Sequence, residues 1–163
     1  MGTVNYSQLS LVLNPLVNRL SNFRRIQRFM KEYVFSKKAY VNLVWGLLLS
    51  DEKWVILSMD RTNWKFGKCN INILMIGISY KGTLIPLLWH LLDKRGNSSQ
   101  DEREDILSEL LDLFSKEQKL KIRCLLADRE FIGKEWVRHL KKLPFTFYIS
   151  CLLYTSPSPR DRG

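Results

Sequence analysis

Asp60 closes the apolar run Trp54 to Met59, and Asp128 closes the run Cys124 to Ala127. Each aspartate is followed at once by an arginine, Arg61 and Arg129. Runs of that length with those flanks read as strands buried on both faces. Neighbouring strands lie roughly 4.8 Å apart, so carboxylates delivered by adjacent strand ends are spaced to share divalent metal ions. Magnesium favours a few carboxylates together with water and substrate phosphate, the donor set of phosphoryl transfer. Two ions about 3.5–4 Å apart would bind a scissile phosphate, activate water or a 3′-hydroxyl, and stabilise the leaving oxygen.

Each aspartate also has a plainer reading. Asp128 can serve as the N-cap of the helix that follows it, and Asp60-Arg61-Thr62-Asn63 can be turn chemistry. Only as a pair on adjacent strands do they point to a shared cation. Glu130, two residues beyond Asp128, is a candidate third ligand, and its place in a turn favours a structural role. His90 and His139 have no partner motif and read as packing or surface residues. Gly82 and Gly96 read as turn glycines, and no phosphate-binding glycine loop is present.

The elements that must position these aspartates follow from periodicity. The pattern predicts a strand over Trp54–Met59, a loop over Arg61–Lys68, and a second strand over Asn70–Tyr80. Lys81-Gly82 predicts a tight turn into a third strand, Thr83–Leu92. Pro86 cannot donate to a ladder, which places that third strand at a sheet edge. Ser99 and Glu102 form a capping-box pattern. The helix it opens carries Ile106, Leu107, Leu110, Leu111, Leu113 and Phe114 inward and ends among Lys116–Lys119. A fourth strand, Lys121–Ala127, comes next. A short helix over Lys134–Lys142 then buries Trp136, Val137 and Leu140, and a fifth strand runs from Phe145 to Ser150. Three antiparallel strands followed by alternating helix and strand predict a mixed α/β sheet. Right-handed crossovers return the fourth strand beside the first, in parallel, which is the ribonuclease-H-like arrangement.

Ahead of the sheet, residues 1–50 read as a small helical module. Leu9, Val12, Leu13, Leu16, Val17 and Leu20 recur at helical spacing, with Pro15 as a break. Ser21 is a candidate cap for a second helix with Phe23, Ile26, Phe29, Met30 and Val34 on one stripe, interleaved with Arg24, Arg25, Arg28 and Lys31. Ser36 is a candidate cap for a third. Two readings share this pattern: a basic face lying on DNA phosphates, or an amphipathic bundle with an ordinary solvated face.

Composition bounds the function class. The 163 residues include 26 Lys and Arg against 16 Asp and Glu, a net charge of +10. Such a balance points to a polyanion, of which nucleic acid is the commonest. Cys69, Cys124 and Cys151 are odd in number and widely spaced, which fits neither a disulfide framework nor a zinc site and reads as reduced cytosolic thiols. No signal peptide opens the chain. The longest apolar stretch, Val41–Leu49, is far short of the roughly 20 residues that span a bilayer, so no membrane partner is expected.

Four blocks carry a likeness to a known family: Met59-Asp60-Arg61-Thr62-Asn63-Trp64; Asn70-Ile71-Asn72-Ile73-Leu74; Lys94-Arg95-Gly96-Asn97-Ser98 with Glu102-Arg103; and Leu125 through Gly133. Together they resemble bacterial DDE transposases of insertion-sequence family number four, over about Trp54 to Ser150. The resemblance implies a ribonuclease-H-like catalytic domain over 51–150. It also implies Asp60 and Asp128 as the first two acids of a catalytic triad holding Mg2+ (or Mn2+). Arg61, Arg129, Arg24, Arg25 and Arg28 then become candidate DNA contacts. It further implies transposon ends and target DNA as partners, a homodimer when full length, and a bacterial cytoplasmic protein working at the nucleoid.

The family's third acid, a Glu in a Tyr-Arg-Glu-Lys signature beyond the fifth strand, has no match in this sequence. The expected chain is thus a transposase fragment that is inactive as given. The alternative is a truncated product that binds DNA or inhibits the full enzyme. From Cys151 to Asp161 the chain resembles a translated sequencing-library adaptor, and 151–163 is expected to be an artefact. The competing reading is a native Ser/Pro-rich tail, disordered for compositional reasons.

Overall fold

A computed structural model describes residues 4–150. The adaptor-like tail and Cys151 lie outside the described residues. The chain divides after Ser36 into two compact units.

The smaller unit holds α1 (Tyr6–Val12) and α2 (Arg19–Glu32). Asn5 caps α1 by accepting from the Ser7 and Gln8 N–H groups. Asn18, and not Ser21, caps α2, its side chain accepting from Leu20 N at 2.8 Å. Pro15 falls in the turn between them, where its missing N–H costs nothing. Asn22 is the buried residue of α2. Its amide donates to the carbonyls of Ser10 and Asn14 at 3.1 and 2.8 Å, tying both helices to the turn. Of the expected apolar stripe, Phe23 and Ile26 are half-buried, while Phe29 and Met30 are each 57% exposed.

The larger unit begins with α3 (Lys37–Leu48), which the sequence reading grouped with the helices before it. Val41, Val44 and Trp45 of α3 are buried in the same core as the sheet. Trp45 meets Phe114 edge-on at 5.3 Å. The apolar positions of α3 therefore belong to the sheet rather than to a separate bundle.

Five strands form one sheet in the order β3-β2-β1-β4-β5: β1 Val55–Phe66, β2 Cys69–Tyr80, β3 Thr83–Leu91, β4 Ile122–Ala127 and β5 Thr146–Ile149. The first three pair antiparallel as hairpins, while β4 pairs parallel to β1 and β5 parallel to β4. That order and those directions make a ribonuclease-H-like mixed sheet. Between β3 and β4 lie α4 (Gln100–Leu113) and a short α5 (Lys116–Leu120), and α6 (Lys134–Leu140) crosses from β4 to β5. The predicted capping box is present at Ser99 and Glu102, and Ser115 with Gln118 makes a second one that starts α5.

One expectation is corrected here. Residues 61–66 are not a loop: β1 runs on through Phe66, with Arg61 opposite Leu74 and Trp64 opposite Ile71. Phe66 pairs with Cys69, so Gly67 and Lys68 alone make the turn, and Gly67 takes φ +58° there. Pro86 does sit on the edge strand β3. Its partner Gly77 flanks a bulge at which a Cβ would come within 2.2 Å of the Ile85 carbonyl oxygen, so only glycine fits.

Alternation along the strands assigns two faces. Leu57, Met59, Leu74, Ile76, Leu125 and Ala127 are buried with Ile106, Leu107 and Leu110 of α4 and Trp136 of α6. The other face is half-open: Trp64, Trp89 and Tyr148 are 45%, 40% and 60% exposed. The edge of the covered face is held by charge. Glu109 of α4 takes Lys37 of α3 on one oxygen and His90 of β3 on the other, the latter at 2.7 Å. The hydrogen bond from Lys37, then that from His90, holds the Glu109 carboxyl below its ordinary value, against the opposing effect of burial. A carboxylate lowered in the folded state adds stability above its unfolded value, and that stability is lost as pH falls through the folded value. Melting temperature should thus fall more steeply below about pH 4.5 in the parent than in Glu109→Gln, measured by circular dichroism. Parallel curves would remove the link.

Candidate active site

The β1–β4 ladder ends at the pair Met59 and Ala127. Asp60 and Asp128 are therefore each one residue past the last paired position on adjacent parallel strands. Side chains alternate faces, so Asp60 continues the row of Ile56 and Ser58, and Asp128 continues that of Cys124 and Leu126. Both rows belong to the half-open face, and both aspartates are exposed. Each uses Oδ1 to accept the N–H of the arginine that follows it, Asp60 from Arg61 at 2.7 Å and Asp128 from Arg129. For Asp128 that bond also caps the 3-10 turn Arg129–Phe131. Capping and cation binding are compatible, because the cap uses only one of the two carboxylate oxygens.

This donor set suits a hard dication. Magnesium commonly takes one or two protein carboxylates and completes its shell with water and phosphate. Among the described residues no group of three or more His, Cys, Asp or Glu is placed to hold a metal ion. Glu130, the candidate third ligand, is engaged elsewhere. Its carboxylate receives Arg61 Nε at 2.8 Å and an Arg61 terminal nitrogen at 2.9 Å, a two-pronged ion pair.

The same contact occupies Arg61, a residue named above as a candidate DNA contact. Its side chain is only 11% exposed. Besides Glu130 it donates to Asn72 Oδ1 at 3.3 Å and Asn97 Oδ1 at 3.2 Å. The hydrogen bond to Glu130 raises its pKa above the ordinary value, more than burial lowers it. The reason is the two-residue strand repeat. Adjacent positions on a strand point to opposite faces, so Arg61 projects to the covered side while Asp60 projects to the open side. Arg129 lies in the 3-10 turn and is exposed, and Arg24, Arg25 and Arg28 are all exposed on α2.

Several residues of the site region were not singled out as chemically important in the sequence. Asn72, 2% exposed, donates to the carbonyls of Lys94 and Gly96 at 3.0 and 3.1 Å, fastening the loop before α4. Arg103 of α4 is 7% exposed. It donates to Ser98 Oγ at 2.9 Å, to the Ser98 carbonyl at 2.7 Å and to the Glu130 carbonyl at 3.3 Å. Its guanidinium also lies over the Phe131 ring, 5.2 Å from the centroid. Burial lowers its pKa, more than the nearby charges of Glu130 and Glu102 raise it. Apart from the Arg103–Ser98 bonds, these hydrogen bonds join positions 22 to 27 apart in sequence, so no local spacing announces them. The available signal was the alternation that puts Arg61 opposite Asp60.

No protein-family model matches the chain, and no curated protein matches it. Among solved structures the chain is similar to the HTLV-2 integrase catalytic core domain in complex with magnesium, dimeric form. The TM-score is 0.41 at 14% identity, covering 58% of this chain and 59% of that one. It is also similar to a chain of the simian T-cell lymphotropic virus intasome in complex with PP2A regulatory subunit B56 gamma. There the TM-score is 0.42 at 10% identity, covering 58% of this chain and 31% of that one. The chain thus spans less than two thirds of either relative. These are likenesses of fold outline, and the ribonuclease-H-like assignment itself rests on strand order and direction in this sheet.

Proposed function

We propose that the chain is most of the catalytic core of a DNA transposase of the insertion-sequence type it resembles, transferring phosphoryl groups between DNA strands with divalent metal. The observation that supports this reading is the register: Asp60 and Asp128 both step past the last β1–β4 pair on the open face. In this reading Asp60 and Asp128 hold Mg2+ or Mn2+. The bound ion would supply charge neutralisation at a phosphate and a more acidic attacking water or hydroxyl. The protein's share is to fix two carboxylates on rigid strands, so that little reorganisation accompanies binding of the phosphate. Arg129, exposed beside Asp128, would approach a phosphate. Arg24, Arg25 and Arg28 would add backbone contacts from the smaller unit. Homodimerisation of the full-length protein and a working place at the bacterial nucleoid belong to the same proposal. Among the described residues no helix is long and apolar enough to cross a membrane.

Gel-shift titration of a DNA duplex tests it. Affinity should fall steeply with salt, by a log–log slope near −0.9 for each phosphate neutralised. Added Mn2+ should tighten binding in the parent chain and leave Asp60→Asn unaffected. A flat salt response, or an equal Mn2+ effect in both proteins, would contradict the proposal.

A further inference from the structure

We infer that the Arg61–Glu130 ion pair is a clamp that sets the spacing of Asp60 and Asp128, making both members positioning residues rather than a DNA contact and a metal ligand. The inference rests on the cation reading of the two aspartates. Arg61 is bonded directly to Asp60 in the chain, and Glu130 follows Asp128 by two residues. The backbone ladder that holds β1 beside β4 stops at Met59 and Ala127, just before both acids. The next link between the two segments is the ion pair itself. Its two parallel bonds, 2.8 and 2.9 Å, fix an angle as well as a distance.

Each end of the clamp is held from behind. Asn72 and Asn97 receive two further Arg61 donors, and Asn72 is itself buried and bonded to the 94–96 loop. On the other side Arg103 grips the Glu130 carbonyl and Ser98. The clamp lies on the covered face while the aspartates lie on the open one. It can therefore brace them without touching what they bind, as supports behind a metal ligand commonly do.

The test uses the 163-residue chain with Mn2+ alone, free ion being counted by electron paramagnetic resonance and folding by thermal melting. Arg61→Lys keeps the charge but loses the two-pronged geometry, and Glu130→Gln keeps the shape but loses the charge. Each should weaken Mn2+ affinity by about 10–100-fold, and the exchanged pair Arg61→Glu with Glu130→Arg should recover most of that loss. Asn97→Ala removes one exposed bond without threatening the fold and should weaken affinity severalfold. A melting temperature that falls while Mn2+ affinity stays within twofold would make the pair merely structural and overturn the clamp. Tighter binding in Arg61→Lys would overturn it too, because Glu130 would then be a ligand released to the ion. Asp60→Asn in the parent is read separately: unchanged Mn2+ binding there defeats the cation reading itself.

Discussion

Replacing Phe131 by alanine should lower the unfolding free energy by about 3–5 kcal/mol, the range for removing a fully buried phenylalanine ring. Phe131 has no exposed surface and closes the 3-10 turn that Asp128 caps. Its ring also supports the Arg103 guanidinium, which in turn holds the Glu130 carbonyl. The cavity thus opens beneath the turn that carries Asp128, and the cation–π contact is lost with it. Urea titration followed by tryptophan fluorescence measures this well, since Trp45, Trp54, Trp64, Trp89 and Trp136 all lie in the larger unit. The neighbour Ile132 is 55% exposed, and its replacement by alanine should stay within about 0.5 kcal/mol. Similar losses for the two variants would mean that the turn is not anchored through Phe131.

The same residues show why part of the fold was legible and part was not. Ile71, Ile73, Leu74, Ile76 and Ile78 form a run whose length and punctuation identify β2, and Lys81-Gly82 carries the left-handed turn with φ of 48° and 78°. Pro86 named the edge strand because a missing donor is a local fact. The second half of β1 was read as a loop because Arg61-Thr62-Asn63-Trp64-Lys65 looks polar. Its strand form is instead imposed by pairing with Asn70–Leu74 and by a turn of only two residues. In α3 the apolar content was plain from sequence, but which layer it packs on was not, since Val41 and Trp45 would suit a bundle equally well.

At the site, Asp128 was legible as the residue that follows a strand, whereas Asp60 was read as a strand end and lies inside β1, at the point where only the pairing with β4 stops. What was not legible is the division of labour around them. Arg61 and Glu130 flank the aspartates in sequence and so resemble ligands or phosphate contacts. The alternation of β1 and the turn after β4 instead bring the pair together on the covered face, where each neutralises the other. Asn72 and Arg103 look like ordinary polar residues of a strand and a helix. They become structural only because the loop at 94–98 folds between them.

On the proposed cation reading, the largest functional effect is expected at Asp128. Removing a ligand must cost at least as much as removing the support behind one, so Asp128→Asn should weaken divalent-ion binding by more than about tenfold to a hundredfold. The isosteric amide can keep the cap on Arg129 N, so the fold should survive, and the loss would report on the ion alone. The most direct measurement is an anomalous difference map from crystals of the chain soaked in Mn2+. One or two peaks within about 2.0–2.3 Å of both the Asp60 and Asp128 carboxylates, absent in Asp128→Asn, are the predicted result. Mn2+ bound elsewhere, or carboxylates directed away from each other with no ion between them, would contradict it.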